Sequence, residues 1–88
     1  LTRSAALEFA KQGIRVNAIA PAAIETPMLQ RLVGGESEVT PQREGMASLH
    51  PVGRIGTPQE VAQAVLALCL NEFITGVILP VDGGFTAQ

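Results

Sequence analysis

Ile14-Arg-Val-Asn-Ala-Ile-Ala-Pro-Ala-Ala-Ile-Glu-Thr-Pro-Met28 decides how this sequence is read. Ile14, Val16, Ala18 and Ala20 alternate with Arg15, Asn17 and Ile19, which is the period of a strand. Apolar residues fall on both faces, the pattern of a strand buried in a parallel sheet under helices. Pro21 has no N–H to give to a ladder, so the strand is expected to end there. Beyond it come the small side chains of Ala22 and Ala23, then the hydroxyl of Thr26. In α/β sheets, ligands bind outside the carboxyl ends of the strands. The stretch therefore reads as backbone presented to a ligand, and as half of a site.

Upstream, residues 1–12 read as the last turns of an amphipathic helix. Leu1, Ala5 and Phe9 recur at spacing four, with Ala6 and Ala10 beside them. Gly13 is placed to stop that helix in the left-handed conformation. Its alanines would let the backbone approach a neighbour closely. Downstream, residues 27–56 are punctuated by Pro27, Gly34, Gly35, Pro41, Gly45, Pro51, Gly53 and Gly56. Met28–Val33 is expected as a short helix with Met28, Leu29, Leu32 and Val33 on one side. A second is expected over Pro41–Leu49, starting at Thr40. A compact domain seldom spends so much chain on irregular structure unless it is a lid or a binding segment.

The firmest helix covers residues 57–70. Thr57 is its N-cap, Pro58 takes the first position, and Glu60 completes a Thr-x-x-Glu capping box. Val61, Ala62, Val65, Leu66, Leu68 and Cys69 form a broad apolar face, and Asn71-Glu72 ends the helix. Residues 74–81 read as a second strand, followed by a turn at Asp82-Gly83-Gly84. The order is helix, strand, irregular segment, helix, strand.

Composition narrows the function classes. The 88 residues are 47% hydrophobic and 16% charged, which excludes a disordered tail. Aromatics are 3%, with no Trp and no Tyr, so the core is aliphatic. Net charge is −2 and Lys and Arg do not cluster, so no nucleic-acid or anionic-membrane partner is expected. Apolar runs fall short of the roughly 18 residues a membrane span needs. One Cys and one His make neither a disulfide nor a metal site. The expectation is a soluble, cytoplasmic protein.

Two parallel strands alone leave their edges unpaired and a face uncovered. A scaffold of this size stands near zero net stability even when well packed. Further strands and helices are therefore expected to complete the sheet. Leu1 lies inside a helix already under way, which suggests that they come from upstream in the same chain or from a partner.

Five pieces, in order, resemble the C-terminal third of a short-chain dehydrogenase/reductase of the glucose-dehydrogenase and 3-oxoacyl-carrier-protein-reductase type. Leu1-Thr-Arg-Ser-Ala-Ala-Leu-Glu8 resembles the helix after the catalytic Tyr-x-x-x-Lys. Gly13–Pro21 resembles the sixth strand. Pro51-Val-Gly-Arg-Ile-Gly-Thr-Pro-Gln-Glu-Val-Ala62 resembles the start of the penultimate helix. Phe73-Ile-Thr-Gly76 and Val81-Asp-Gly-Gly84 resemble the last strand and its exit. The resemblance implies the C-terminal part of a Rossmann-like, doubly wound parallel sheet. Residues 1–88 would be one portion of a single domain whose N-terminal part is absent, with 27–56 as the substrate lid.

The resemblance also implies a site. In that family the sixth strand runs into Pro-Gly-x-Val/Ile-x-Thr at the nicotinamide end of NAD or NADP. Carried over, Pro21 starts the clamp, and the backbone N–H and C=O of Ile24 pair with the nicotinamide carboxamide. Thr26 offers its hydroxyl to the carboxamide or the pyrophosphate, and Met28 lies nearby. A carboxamide has a donor and an acceptor, which one backbone residue can satisfy together. Ala22 stands where the family usually has Gly, and the link Leu70–Phe73 looks shorter than usual. The Gly-rich fingerprint and the catalytic Ser, Tyr and Lys are not found in these residues.

The implied reaction is hydride transfer between the nicotinamide and a small-molecule carbonyl or secondary alcohol, in a homo-oligomer, dimeric or tetrameric. The segment would supply the clamp, the lid and an oligomer surface, and would be inactive alone. The alternative is a non-catalytic, truncated module that acts in assembly or binding. Among single residues, His50 is read as a surface-loop histidine and Cys69 as a buried small hydrophobe. Asp82-Gly83-Gly84 is read as a structural turn. Arg54 either ties the lid to the body or is solvated. Asn17 either fixes neighbouring backbone with its amide or sits partly exposed.

Overall fold

The computed structural model describes residues 1–88. Helix α1 covers Thr2–Phe9 and tightens into a 3-10 turn at Ala10–Gln12. Gly13 ends it at φ 77°, in the left-handed region that glycine tolerates. Strand β1 is Ala18–Pro21. Helices α2 (Pro27–Val33), α3 (Pro41–Ser48) and α4 (Pro58–Leu70) follow, then strand β2 (Ile78–Val81) and a 3-10 turn at Phe85–Ala87.

The strands are parallel, with Ala18 opposite Ile78 and Pro21 opposite Val81. Pro21 is the last residue of β1, so the strand ends where its sequence predicts. The bonds to β2 come from alternate residues, Ala18 N–H to Val77 O (2.9 Å) and Ala22 N–H to Val81 O (3.3 Å). Position 21 falls out of phase with these donors, so its missing N–H costs that ladder nothing.

Both strands are shorter than the sequence pattern predicts. Residues 14–17 are held to the chain before β2 mainly by side chains. Arg15 donates to the carbonyls of Leu68 (2.8 Å), Cys69 (2.8 Å) and Ile74 (3.1 Å), closing the carboxyl end of α4. The Asn17 amide donates to Ile74 O and accepts from Val77 N–H, both at 3.0 Å. Asn17 therefore fixes neighbouring backbone. Gly76, at φ 77°, turns the chain between these contacts and the ladder.

The three longer-loop helices begin alike. Thr26, Thr40 and Thr57 are each an N-cap followed by Pro at the first helical position. A Thr oxygen accepts an otherwise orphaned N–H, and Pro has no N–H to orphan. At α4 the capping box is complete, with Glu60 accepting from the Thr57 N–H at 3.0 Å.

Packing is thin. The radius of gyration is 15.8 Å, against about 12 Å for a compact domain of this length. Ala6, Val33, Ile55 and Leu68 are the buried apolar residues. Ala6 lies close under Gly76, where an added Cβ would stand 3.5 Å from it. The expected apolar face of α4 is largely uncovered, with Val65 and Leu66 exposed, while that of α1 is partly covered: Ala6 is buried, Ala5 and Phe9 are half-buried, and Leu1 just ahead of the helix is exposed. Cys69 is exposed as well, contrary to the sequence reading. A sheet two strands wide reaches Leu68 but not the rest of that face. No helix is long and apolar enough to cross a membrane.

Candidate functional site: the loop after the first strand

The loop at the carboxyl end of β1 is pinned residue by residue. Ala22 N–H bonds to β2. Ala23 C=O accepts from Gly56 N–H at 3.0 Å, and Glu25 N–H donates to Gly56 O at 2.9 Å. These two bonds form an isolated parallel bridge between Ile24 and Gly56. In such a bridge the flanking residues carry the bonds, and the central residue turns its own N–H and C=O the other way. Neither group of Ile24 makes a hydrogen bond within the chain. One donor and one acceptor thus stand side by side on fixed backbone, complementary to a primary carboxamide.

Ala22 takes this path without strain, because no residue other than glycine has a positive φ. Thr26 Oγ1 accepts the Leu29 N–H at 3.2 Å as the N-cap of α2. Its hydroxyl proton remains to donate elsewhere. Met28, in the first turn of α2, is 67% exposed. Pro21, Ala22, Ile24, Thr26 and Met28 therefore lie along one continuous loop and helix start.

Two features of this region had no signal in the sequence pattern. Arg43 of α3 makes a bidentate ion pair with Glu25, through its Nη1 to Oε1 and its Nη2 to Oε2, the latter at 2.9 Å. Arg43 also donates to Gly34 O at 3.0 Å, and Gln30 donates to Glu25 at 3.2 Å. The Arg43 hydrogen bonds hold the Glu25 carboxyl below the usual carboxylate range, against the opposing effect of burial. The segment carrying α2 and α3 is thus fastened to the residue beside Ile24.

The second feature is His50, which is buried, at 4% exposure, rather than a surface-loop residue. Nδ1 lies 2.9 Å from Met46 O at the end of α3, and Nε2 accepts the Ala23 N–H at 3.4 Å. Its ring also lies against Phe85, with centroids 6.0 Å apart. Burial follows from the turn beyond β2. Gly83 and Gly84, both at positive φ, bring backbone against His50, Pro51 and Val52 where side chains would collide. Asp82 caps this turn through Gly84 N–H and both donors of Thr86, which lower its pKa.

Arg54 is tied down, donating twice to Glu60 at 2.7 Å. The pair, with the backbone N–H of Thr57, takes the Glu60 carboxyl to about 2. It joins the end of the 27–56 segment to the first turn of α4.

Residues 1–86 match the family described as Enoyl-(Acyl carrier protein) reductase. The 2,5-dichloro-2,5-cyclohexadiene-1,4-diol dehydrogenase of Sphingobium indicum is 47% identical, over 99% of this chain and 34% of that protein. The cyclohexanol dehydrogenase of an Acinetobacter species is 41% identical, over 100% of this chain and 32% of that protein. Among solved structures, ElxO with NADP bound superposes with a TM-score of 0.85 at 38% identity, over 99% of this chain and 35% of ElxO. The ligand-free aldohexose dehydrogenase of Thermoplasma acidophilum gives 0.81 at 39%, over 99% and 36%. The chain spans about a third of the length of these relatives. With its parallel strands and the order of its elements, the chain belongs to the short-chain dehydrogenase/reductase family and is a segment of that Rossmann-type fold.

Proposed function

We propose that these residues form the C-terminal third of an NAD- or NADP-dependent oxidoreductase that moves hydride between the nicotinamide and a carbonyl or secondary alcohol. The carrying observation is Ile24. Its N–H and C=O are the pair that the bridge to Gly56 leaves free, at the carboxyl edge of the sheet. They hold the nicotinamide carboxamide, while Pro21 and Ala22 lie under the ring. Thr26 gives its remaining proton to the carboxamide or pyrophosphate, and Met28 borders the same space. Support comes from the family membership and from ElxO, whose structure holds NADP.

Residues 27–56 act as the lid over the substrate. The Glu25–Arg43 pair is suited to this, since it ties α3 to the clamp loop. The chemical step belongs to residues outside this chain, which contains no Tyr to supply a proton. The upstream part of the fold covers the exposed faces of α1 and α4, and a further surface serves a dimer or tetramer in the cytoplasm.

The test is direct titration of the protein that carries this segment with NADH and with NADPH, followed by fluorescence, alongside oxidation assays on cyclic secondary alcohols. Saturable binding of either nucleotide with turnover is expected. A folded protein that binds neither contradicts the proposal and favours the assembly-module alternative.

A further inference from the structure

We infer that His50 is a positioning residue for the nicotinamide clamp, holding it in register only while its imidazole is uncharged. This rests on the clamp reading above. Met46 O can only accept, so the nitrogen facing it, Nδ1, must carry the proton. In the neutral ring Nε2 then has a free lone pair, and that lone pair receives the Ala23 N–H. Ala23 immediately precedes Ile24, and its carbonyl is already fixed by Gly56. The imidazole therefore completes the restraint on the peptide that leads into the clamp. Protonation puts an N–H on Nε2, directly opposite the Ala23 N–H. An accepting contact becomes a repulsive one, and the loop must shift.

The neighbours leave His50 as the group that changes charge. A cavity of about 160 Å³ beside the ring is also lined by Arg54, Glu60 and Asp82. Arg54 and Glu60 neutralise each other, and Asp82 is turned into its own hydrogen-bonded turn. Both carboxyls lie below the usual range, so they stay ionised through the window in which a histidine titrates. On the clamp loop and α3, Glu25 is paired with Arg43, and Glu44 is exposed. His50 is also the only histidine in the chain.

The sign is set by that exchange: nucleotide affinity falls as pH falls through the histidine ionisation. The test measures Kd for NADH or NADPH, whichever binds, by fluorescence between pH 5.5 and 8. It uses the protein carrying this segment, its His50→Gln variant and its His50→Phe variant. Glutamine can offer an oxygen to Ala23 N–H but cannot titrate. Titration of the nucleotide itself is common to all three proteins and cancels in their ratio. The ratio of wild-type Kd to His50→Gln Kd is expected to rise roughly five- to tenfold on going from pH 8 to 5.5, the loss of one hydrogen bond plus an opposed donor. At pH 8, His50→Phe binds more weakly than His50→Gln. A ratio that stays flat overturns the role of His50 while leaving the clamp standing, and it does so even if His50→Phe fails to fold. A wild-type protein that binds neither nucleotide at any pH overturns the clamp reading, and this inference with it.

Discussion

Gly83→Ala should cost far more than Gly53→Ala, although both positions have a left-handed backbone. Gly53 sits at φ 83° with nothing within 4 Å of the position an added Cβ would take. Alanine there meets only the left-handed penalty of about 1–2 kcal/mol. Stiffening of the unfolded chain offsets about 0.4–1 kcal/mol of it. The expected net loss is about 0–1.6 kcal/mol. Gly83, at φ 57°, has the same backbone penalty and no room. Its Cβ would stand 2.7 Å from Val52 Cγ2 and 3.3 Å from His50 Cβ. The Val52 side chain is exposed and can rotate, but its N–H is bonded to Gly83 O at 3.1 Å, which keeps the two stretches of chain together. Overpacking of that kind adds about 1–3 kcal/mol, for a total of about 1–4.6 kcal/mol. Urea unfolding of the two variants in the protein carrying this segment, compared through midpoint and slope, measures the difference. If both lose the same stability within about 0.5 kcal/mol, the turn does not press on the His50–Val52 strap.

Three further outcomes rest on local geometry. Thr57→Ala should destabilise by about 1 kcal/mol, with Thr57→Ser restoring most of it, because the hydroxyl and not the methyl caps α4; chemical denaturation reads both. The Glu60 carboxyl is held at about 2 by Arg54 and the Thr57 N–H, below its ordinary 4.5. Its contribution is therefore complete above about pH 4.5 and disappears as pH falls toward 2, and the acid limb of a pH–stability profile should be shallower in Glu60→Gln. Thr26→Asp should preserve the α2 cap, since Asp caps as well as Thr. It should nonetheless weaken nucleotide binding, because a carboxylate cannot donate and repels pyrophosphate; unchanged affinity would confine Thr26 to capping.

Much of the fold lies in local pattern. Thr57, Pro58 and Glu60 announce α4 because a capping box is made within four residues, and the observed helix starts there. Gly13 ends α1 for an equally local reason. The loop 22–26 lies at the carboxyl end of β1, where the alternation and Pro21 before it predict a break. Strand lengths were less legible. Arg15 and Asn17 read as ordinary alternating positions, but their side chains take over backbone partners some 53–60 residues away. No period encodes such contacts. The same holds for Glu25 with Arg43 and for His50 with Ala23, which meet across 18 and 27 residues. Cys69 misled for a different reason: periodicity reports which face is apolar, not whether anything covers it.

Everything proposed for the clamp depends on Ile24 turning its free N–H and C=O toward the nicotinamide carboxamide. A crystal structure of the protein carrying this segment with NAD or NADP bound decides the matter. The carboxamide oxygen is expected within about 2.7–3.2 Å of Ile24 N and the carboxamide nitrogen within the same range of Ile24 O. A well-ordered nicotinamide whose carboxamide lies beyond about 3.5 Å of both atoms would contradict it.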